Sequence, residues 1–184
     1  MFRRYTISEI GDIISGATPK TNVLTNFGGE IPWLTPADLS GYTEKYISHG
    51  ARNLTQQGYD SCSTHLIPAG TVLLSSRAPI GYVAIAKNEI CTNQGFKSIV
   101  PKAFVNSEFL YYQLKSLKNT LQNLGSGTTF KELSAKKLAT VQVVIPSLEE
   151  QKSIVSKIEE LFSKLDASVA ELKTAKEKLK VYRQ

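Results

Sequence analysis

Cysteine is scarce, with Cys62 and Cys91 the only two in 184 residues and 29 positions between them. Neither has a second Cys or a clustered His beside it, so neither zinc-ligand spacing nor a disulfide framework is present. The expectation is two buried thiols in a reducing cytosol. Long apolar runs are also missing: no uninterrupted segment could span a bilayer, and Met1-Phe2-Arg3-Arg4-Tyr5 runs into Thr6-Ile7-Ser8-Glu9 without an apolar signal core. That predicts a cytoplasmic protein with no membrane partner. Histidine is limited to His49 and His65, neither spaced from a Ser, Cys or Asp as a triad would suggest, and both read as loop or surface residues.

Several catalytic signatures are lacking as well. A self-contained methyltransferase needs a Gly-rich cofactor turn after its first strand and an Asn/Asp-Pro-Pro-aromatic loop for the flipped base, and the chain has neither. Gly16-Ala17-Thr18-Pro19-Lys20 and Gly125-Ser126-Gly127-Thr128 do not end in Gly-Lys-Ser/Thr and so fail as phosphate-binding loops of an NTPase. A metal-dependent nuclease needs converging acids, often with a Glu-x-Lys pair. Glu150-Gln151-Lys152 and Glu171-Leu172-Lys173 match that string, but they fall in a stretch predicted to be helical, where such pairs read as solvated surface. No catalytic residue and no metal ligand is assigned.

What the chain does have is length and 41% hydrophobic content enough to bury a core, with one globular unit plus an appended element as the expected organisation. The formal net charge is +6, with a pI near 9.2, which favours polyanionic partners without identifying them. The surplus sits on residues 1–146, where 14 Lys and Arg face 9 Asp and Glu; residues 147–184 hold 8 against 7.

From residue 1 to about 105, dense Gly, Pro and Asn punctuation favours strands and loops over long helices. Thr71–Ser75, Gly81–Ala86 and Phe96–Val100 read as strands of a twisted, mainly antiparallel β core. Phe109, Leu110, Leu114, Leu117, Leu121 and Leu124 then recur at helical steps between an Asn106-Ser107 cap and Gly125, predicting an amphipathic helix of about 18 residues. The polar loop Gly125–Thr129, a helical piece around Lys131–Leu138 and a strand Val141–Ile145 closed by Pro146 complete the domain.

Ser147-x-x-Glu150 is a capping box, and no Gly or Pro follows it, so one helix of some 37 residues, about 55 Å long, is predicted. Ile154, Ile158, Leu161, Leu165, Leu172, Ala175, Leu179 and Tyr182 alternate three- and four-residue steps, with only Ser168 breaking a coiled-coil seam. Such a stripe cannot bury itself and needs a partner helix.

Among candidate contacts to a polyanion, Arg77 in Ser75-Ser76-Arg77-Ala78-Pro79 places a forked cation directly after a strand. There it can pair with guanine or a phosphate, or form a structural ion pair with a carboxylate such as Asp38. Asn93 and Gln94 can read an adenine edge, and Ser126 and Thr128 flank backbone amides that can approach a phosphate. Lys131, with Lys136 and Lys137, adds charge beside that loop or forms a merely solvated face. Lys20 and Thr35 complete the set of candidate DNA contacts.

Four segments together resemble the target-recognition domain and following helical region of type I restriction-modification specificity subunits. They are Gly29-Glu30-Ile31-Pro32-Trp33-Leu34-Thr35-Pro36-Ala37-Asp38-Leu39, Pro68 through Gly81, Thr92-Asn93-Gln94-Gly95-Phe96, and Ile145 through Ile154 with its Pro-x-x-x-Glu-Gln entry into the helix. The resemblance implies an α+β protein: a target-recognition domain over 1–146 and a coiled-coil spacer helix over 147–184. It implies a non-catalytic subunit that reads one half of a bipartite site in double-stranded DNA. Modification subunits would methylate adenine with S-adenosylmethionine, and restriction subunits would use ATP and Mg. Full-length members carry two recognition domains and two helical regions, so one of each implies a half-subunit or a fragment. A half-subunit would homodimerise through Ile154, Ile158, Leu161, Leu165, Leu172 and Leu179, its spacer covering at most roughly 16 base pairs. The competing readings are a metal-dependent nuclease and a coiled-coil scaffold without sequence-specific DNA binding.

Overall fold

The computed structural model describes residues 3–77, 79–127 and 131–181. In chain order the elements are β1 (Arg3–Thr6), α1 (Ile7–Ile10), β2 (Gly11–Ser15), β3 (Phe27–Leu34), β4 (Tyr46–Ile47), β5 (Arg52–Leu54) and α2 (Gln56–Asp60). Then follow β6 (Val72–Ser76), β7 (Ile80–Ala86), β8 (Cys91–Thr92), β9 (Lys97–Pro101), α3 (Ser107–Ser116), α4 (Lys118–Leu124), α5 (Ala135–Ala139), β10 (Gln142–Ile145) and α6 (Leu148–Val181). The result is the expected α+β fold with a long C-terminal helix.

The central sheet has the order β2-β9-β6-β7-β4, antiparallel except for the β4/β7 pair. Its inner strands β6 and β7 are largely buried on both faces because both faces are covered. Val72 and Leu74 of β6 with Ile85 of β7 point into one core with α3, α4 and β10, while Leu73, Ala84 and Ala86 point into a second core with Leu34, Ile67 and Phe96. Period-two alternation thus serves two cores from one sheet. A three-stranded sheet, β5-β3-β8, lies over the second core, and β1 pairs with β10 to join the chain's start to the end of the globular part.

The three central strands fall within one residue of their expected bounds. The predicted 18-residue helix does not stay whole: it turns at Leu117 (φ −86°, ψ 5°) into α3 and α4. The turn lets Leu121 enter the first core and Gln122 Nε2 donate to Ile80 O at 3.2 Å, which holds α4 across the start of β7. The helical piece expected at Lys131 begins instead at Ala135, capped by the Ser134 hydroxyl accepting from Lys137 N, because residues 131–133 are extended. Cys91 is buried, and burial pushes its thiol up to about 11; Cys62 is half-buried rather than buried.

The capping box closes as read, Ser147 Oγ accepting from Glu150 N while the Glu150 carboxylate accepts from Ser147 N and Oγ. Two adjacent stripes then run along α6. One, through Gln151, Val155 and Phe162, docks on the globular part, with Val155 in the first core and Phe162 stacked on Tyr112 of α3. The other holds the seam residues Ile154, Leu161, Leu165, Leu172 and Leu179, all exposed, and Ile158 lies half-buried between the two. Tyr182 lies outside the described residues. No helix among the described residues is long and apolar enough to cross a membrane.

Candidate nucleic-acid interface

The candidate residues come from five separate segments, and the fold brings four of those turns together directly, with Ser126 and Lys131 beside Arg77. Gly16 packs so closely on the Thr92 turn that a Cβ there would stand 1.9 Å from Thr92 O, and a Cβ on Gly95 would meet Pro36 at 2.7 Å. Only glycine permits both approaches. Ala17 N donates to Thr92 O, Asn93 N to Leu34 O, and Ser76 N and Oγ both to Gly95 O. The turns at 16–20, 35–38, 76–80 and 92–96 therefore form one continuous surface.

On that surface Lys20 and Gln94 are exposed, Thr35, Arg77 and Asn93 are half-buried, and Ser126 and Lys131 are exposed beside Arg77. Thr128 lies outside the described residues. Some of these groups are already engaged. Thr35 Oγ1 donates to Asp38 in a capping box; Asn93 Oδ1 accepts from Gly95 N, leaving its Nδ2 as the outward donor; Gln94 Oε1 accepts from Thr18 Oγ1. Lys137 Nζ donates to Leu124 O at 2.9 Å and so caps α4, whereas Lys136 is exposed.

Arg77 does not pair with Asp38. The Asp38 carboxylate accepts from Thr35 N, Thr35 Oγ1 and Ala51 N at 2.7–2.8 Å, which uses it in the turn after β3. The carboxylate nearest Arg77 is that of Glu132, at 3.8 Å, brought there by an extended segment whose Leu133 N donates to Ser76 O. At that distance the contact is an ion pair without a hydrogen bond. Among the described residues the guanidinium has no hydrogen-bond acceptor.

Sequence reasoning passed over three residues here. Lys97 is 8% exposed, its ammonium 3.4 Å from Gln94 O and Phe96 O and 3.7 Å from Glu132. Burial pushes its pKa below the ordinary lysine value, and the Glu132 charge partly offsets this. Its place in a β strand, between Phe96 and Ser98-Ile99, gave the only hint. Arg52 stacks on Phe27 at 4.7 Å and on Trp33 at 5.9 Å, exposing a cation at the edge of the three-stranded sheet. Glu132 hid among lysines. His49 and His65 are exposed, as read, and the two Glu-x-Lys strings lie on α6. No group of three or more His, Cys, Asp or Glu among the described residues is placed to hold a metal ion.

Residues 2–178 match the family described as the type I restriction modification DNA specificity domain. The chain belongs to this family. It is 48% identical over 152 residues to the type I restriction enzyme MjaIX specificity subunit of Methanocaldococcus jannaschii, and 30% identical over 164 residues to the HindI specificity subunit of Haemophilus influenzae. These alignments cover 82% and 85% of the chain but only 35% of either relative, so this specificity-domain chain spans about a third of their length. Its fold matches the HsdS subunit from Thermoanaerobacter tengcongensis with a TM-score of 0.71 at 24% identity, over 90% of this chain and 38% of that one.

Proposed function

We propose that this chain reads one half of a bipartite site in double-stranded DNA and performs no chemistry itself. Modification subunits would methylate adenine with S-adenosylmethionine, and restriction subunits would act with ATP and Mg, at the address it supplies. The carrying observation is Arg77: a half-buried forked cation with five N–H donors, no acceptor among the described residues, and a setting amid the Asn93-Gln94 and Gly125–Gly127 turns. An arginine so placed can donate to an acceptor outside the chain, such as a base edge of the duplex. Lys20, Gln94, Asn93 Nδ2, Ser126, Thr128 and Lys131 complete the proposed contacts, with phosphate contacts positioning and base contacts specifying. Two copies pairing through α6 would make the site symmetric. This is a cytoplasmic role.

The test is selection of bound sequences from a random duplex library at near-physiological salt, with the chain alone and with its modification subunit. An enriched, gapped motif is the expected result, and a palindromic one would mark the homodimer. Enrichment in neither condition overturns the reading. Binding that ignores sequence and vanishes in moderate salt would favour a helix-based scaffold instead.

A further inference from the structure

Three turns of the candidate interface meet at an acidic residue, where a surface for a polyanion is expected to be basic. The backbone of Glu132 is anchored here, pairing in both directions with Ser126 (3.0 and 2.9 Å), and the next amide, Leu133 N, donates to Ser76 O at 2.8 Å. Its carboxylate lies 3.8 Å from Arg77 Nη1 and 3.7 Å from Lys97 Nζ. The two cations differ in kind. Lys97, its side chain 10% exposed, is enclosed beneath the Gln94 turn beside the acid, whereas Arg77 and Glu132, their side chains 34% and 43% exposed, reach the surface.

We infer that Glu132 is a specificity-determining residue that restrains Arg77, penalising its use on phosphates in general while leaving it available to a neutral base edge. The inference rests on the DNA-reading function proposed above. A phosphate that approaches Arg77 brings its negative charge toward the fixed carboxylate and meets repulsion. The major-groove edge of guanine carries no net charge and offers two acceptors to the fork, so it takes both hydrogen bonds without that penalty. Discrimination is thereby gained by a term against the wrong contact as well as one for the right contact. Lys97 supplies the counter-charge that keeps the acid in place when Arg77 turns outward, and it ties the acid to the turn that carries Asn93 and Gln94.

Anisotropy titrations test this in whichever state, alone or with the modification subunit, the wild type binds. The probes are a duplex carrying the motif enriched by the wild type and a scrambled duplex of the same composition, across a salt series. Glu132→Gln keeps an acceptor for Lys97 and removes the charge. It is expected to bind the scrambled duplex roughly two- to fivefold tighter, in scale with a partly exposed charge pair, and to steepen the salt dependence by about one phosphate contact. Affinity for the motif changes less, so discrimination falls. Adding Arg77→Ala abolishes the gain. Glu132→Asp, which draws the charge back without removing it, gives a smaller shift in the same direction and serves if Glu132→Gln does not fold. Scrambled-duplex affinity that is unchanged or weaker in the folded variants, or a gain that survives Arg77→Ala, overturns the inference. A wild type without any sequence preference overturns the DNA-reading function itself, and that is seen before any variant is made.

Discussion

Gln151 is completely buried on the second turn of α6, yet every polar atom it has in play is matched. Its Nε2 donates to Phe104 O at 2.9 Å and Pro146 O at 3.0 Å, and its Oε1 accepts from Asn106 N at 2.7 Å. One side chain thus ties the start of the long helix to the start of α3. Gln151→Leu keeps the volume and strands two carbonyls and an amide, so unfolding free energy falls by about 2–4 kcal/mol in urea denaturation. Half-site preference, located on the far turns, is expected to survive. In the sequence this residue was visible only as part of the Glu-Gln entry that carries the family resemblance; nothing in a heptad pattern distinguishes a buried amide from a solvated one. The same limit applies to Arg77. Its half-buried fork beside small hydroxyls was legible from a strand ending in Ser75-Ser76 with Pro79 soon after. Its partner was not, because Asp38 and Glu132 are equivalent acids until the chain path brings one of them near.

Elements were more legible than pairings. Strands β6, β7 and β9 follow from β-branched runs bounded by turn formers, and α6 from a capping box with no later breaker. The turn at Leu117 escaped because Leu117 fits the helical period on both sides, and only the need to seat Leu121 and Gln122 against β7 forces it. The docking of α6 escaped for a related reason: its second stripe begins with a polar Gln, and its charged anchor comes from a distant loop. There Lys45 pairs with Glu108 of α3 at 2.5 Å and with Glu159 of α6. Burial works against the Lys45 ammonium, but bonds to both glutamates outweigh it and leave its pKa above the ordinary lysine value. The Lys45 hydrogen bond holds the Glu108 carboxyl below its ordinary 4.5 despite burial, with the Tyr46 hydroxyl adding to it. A carboxyl depressed on folding stabilises above its unfolded pKa, and that contribution is lost as pH falls through the folded value. Lowering the pH from neutral to about 3 is therefore expected to cost the wild type of order 1 kcal/mol more than Lys45→Met, a figure already discounted for solvent screening. Equal acid sensitivity in urea melts of the two proteins would remove the anchor from the account.

At the scale of the whole molecule, the globular part is closed by β1 and β10 while α6 leaves an apolar seam in water, Leu172 being 69% exposed. The 34 residues of α6 reach about 51 Å, roughly 15 base pairs of duplex, so in the proposed homodimer a pair of such helices would set the distance between two reading surfaces. In the proposed homodimer, burying Ile154, Leu161, Leu165, Leu172 and Leu179 on both copies would contribute on the order of 1.5–3 kcal/mol for each side chain, against an association cost of about 4–15 kcal/mol. Two glutamates on each copy would remove four of these ten apolar side chains and set like charges in the seam, enough to undo the pairing. Leu165→Glu with Leu172→Glu, both beyond the docked turns, is expected to leave the globular fold and its half-site preference intact. The double variant would sediment as a monomer at concentrations where the wild type is expected to sediment as a dimer. The motif it enriches would shrink from two inverted half-sites with a fixed gap to one half-site alone. A double variant that still selects the gapped motif would mean that something other than this seam fixes the spacing.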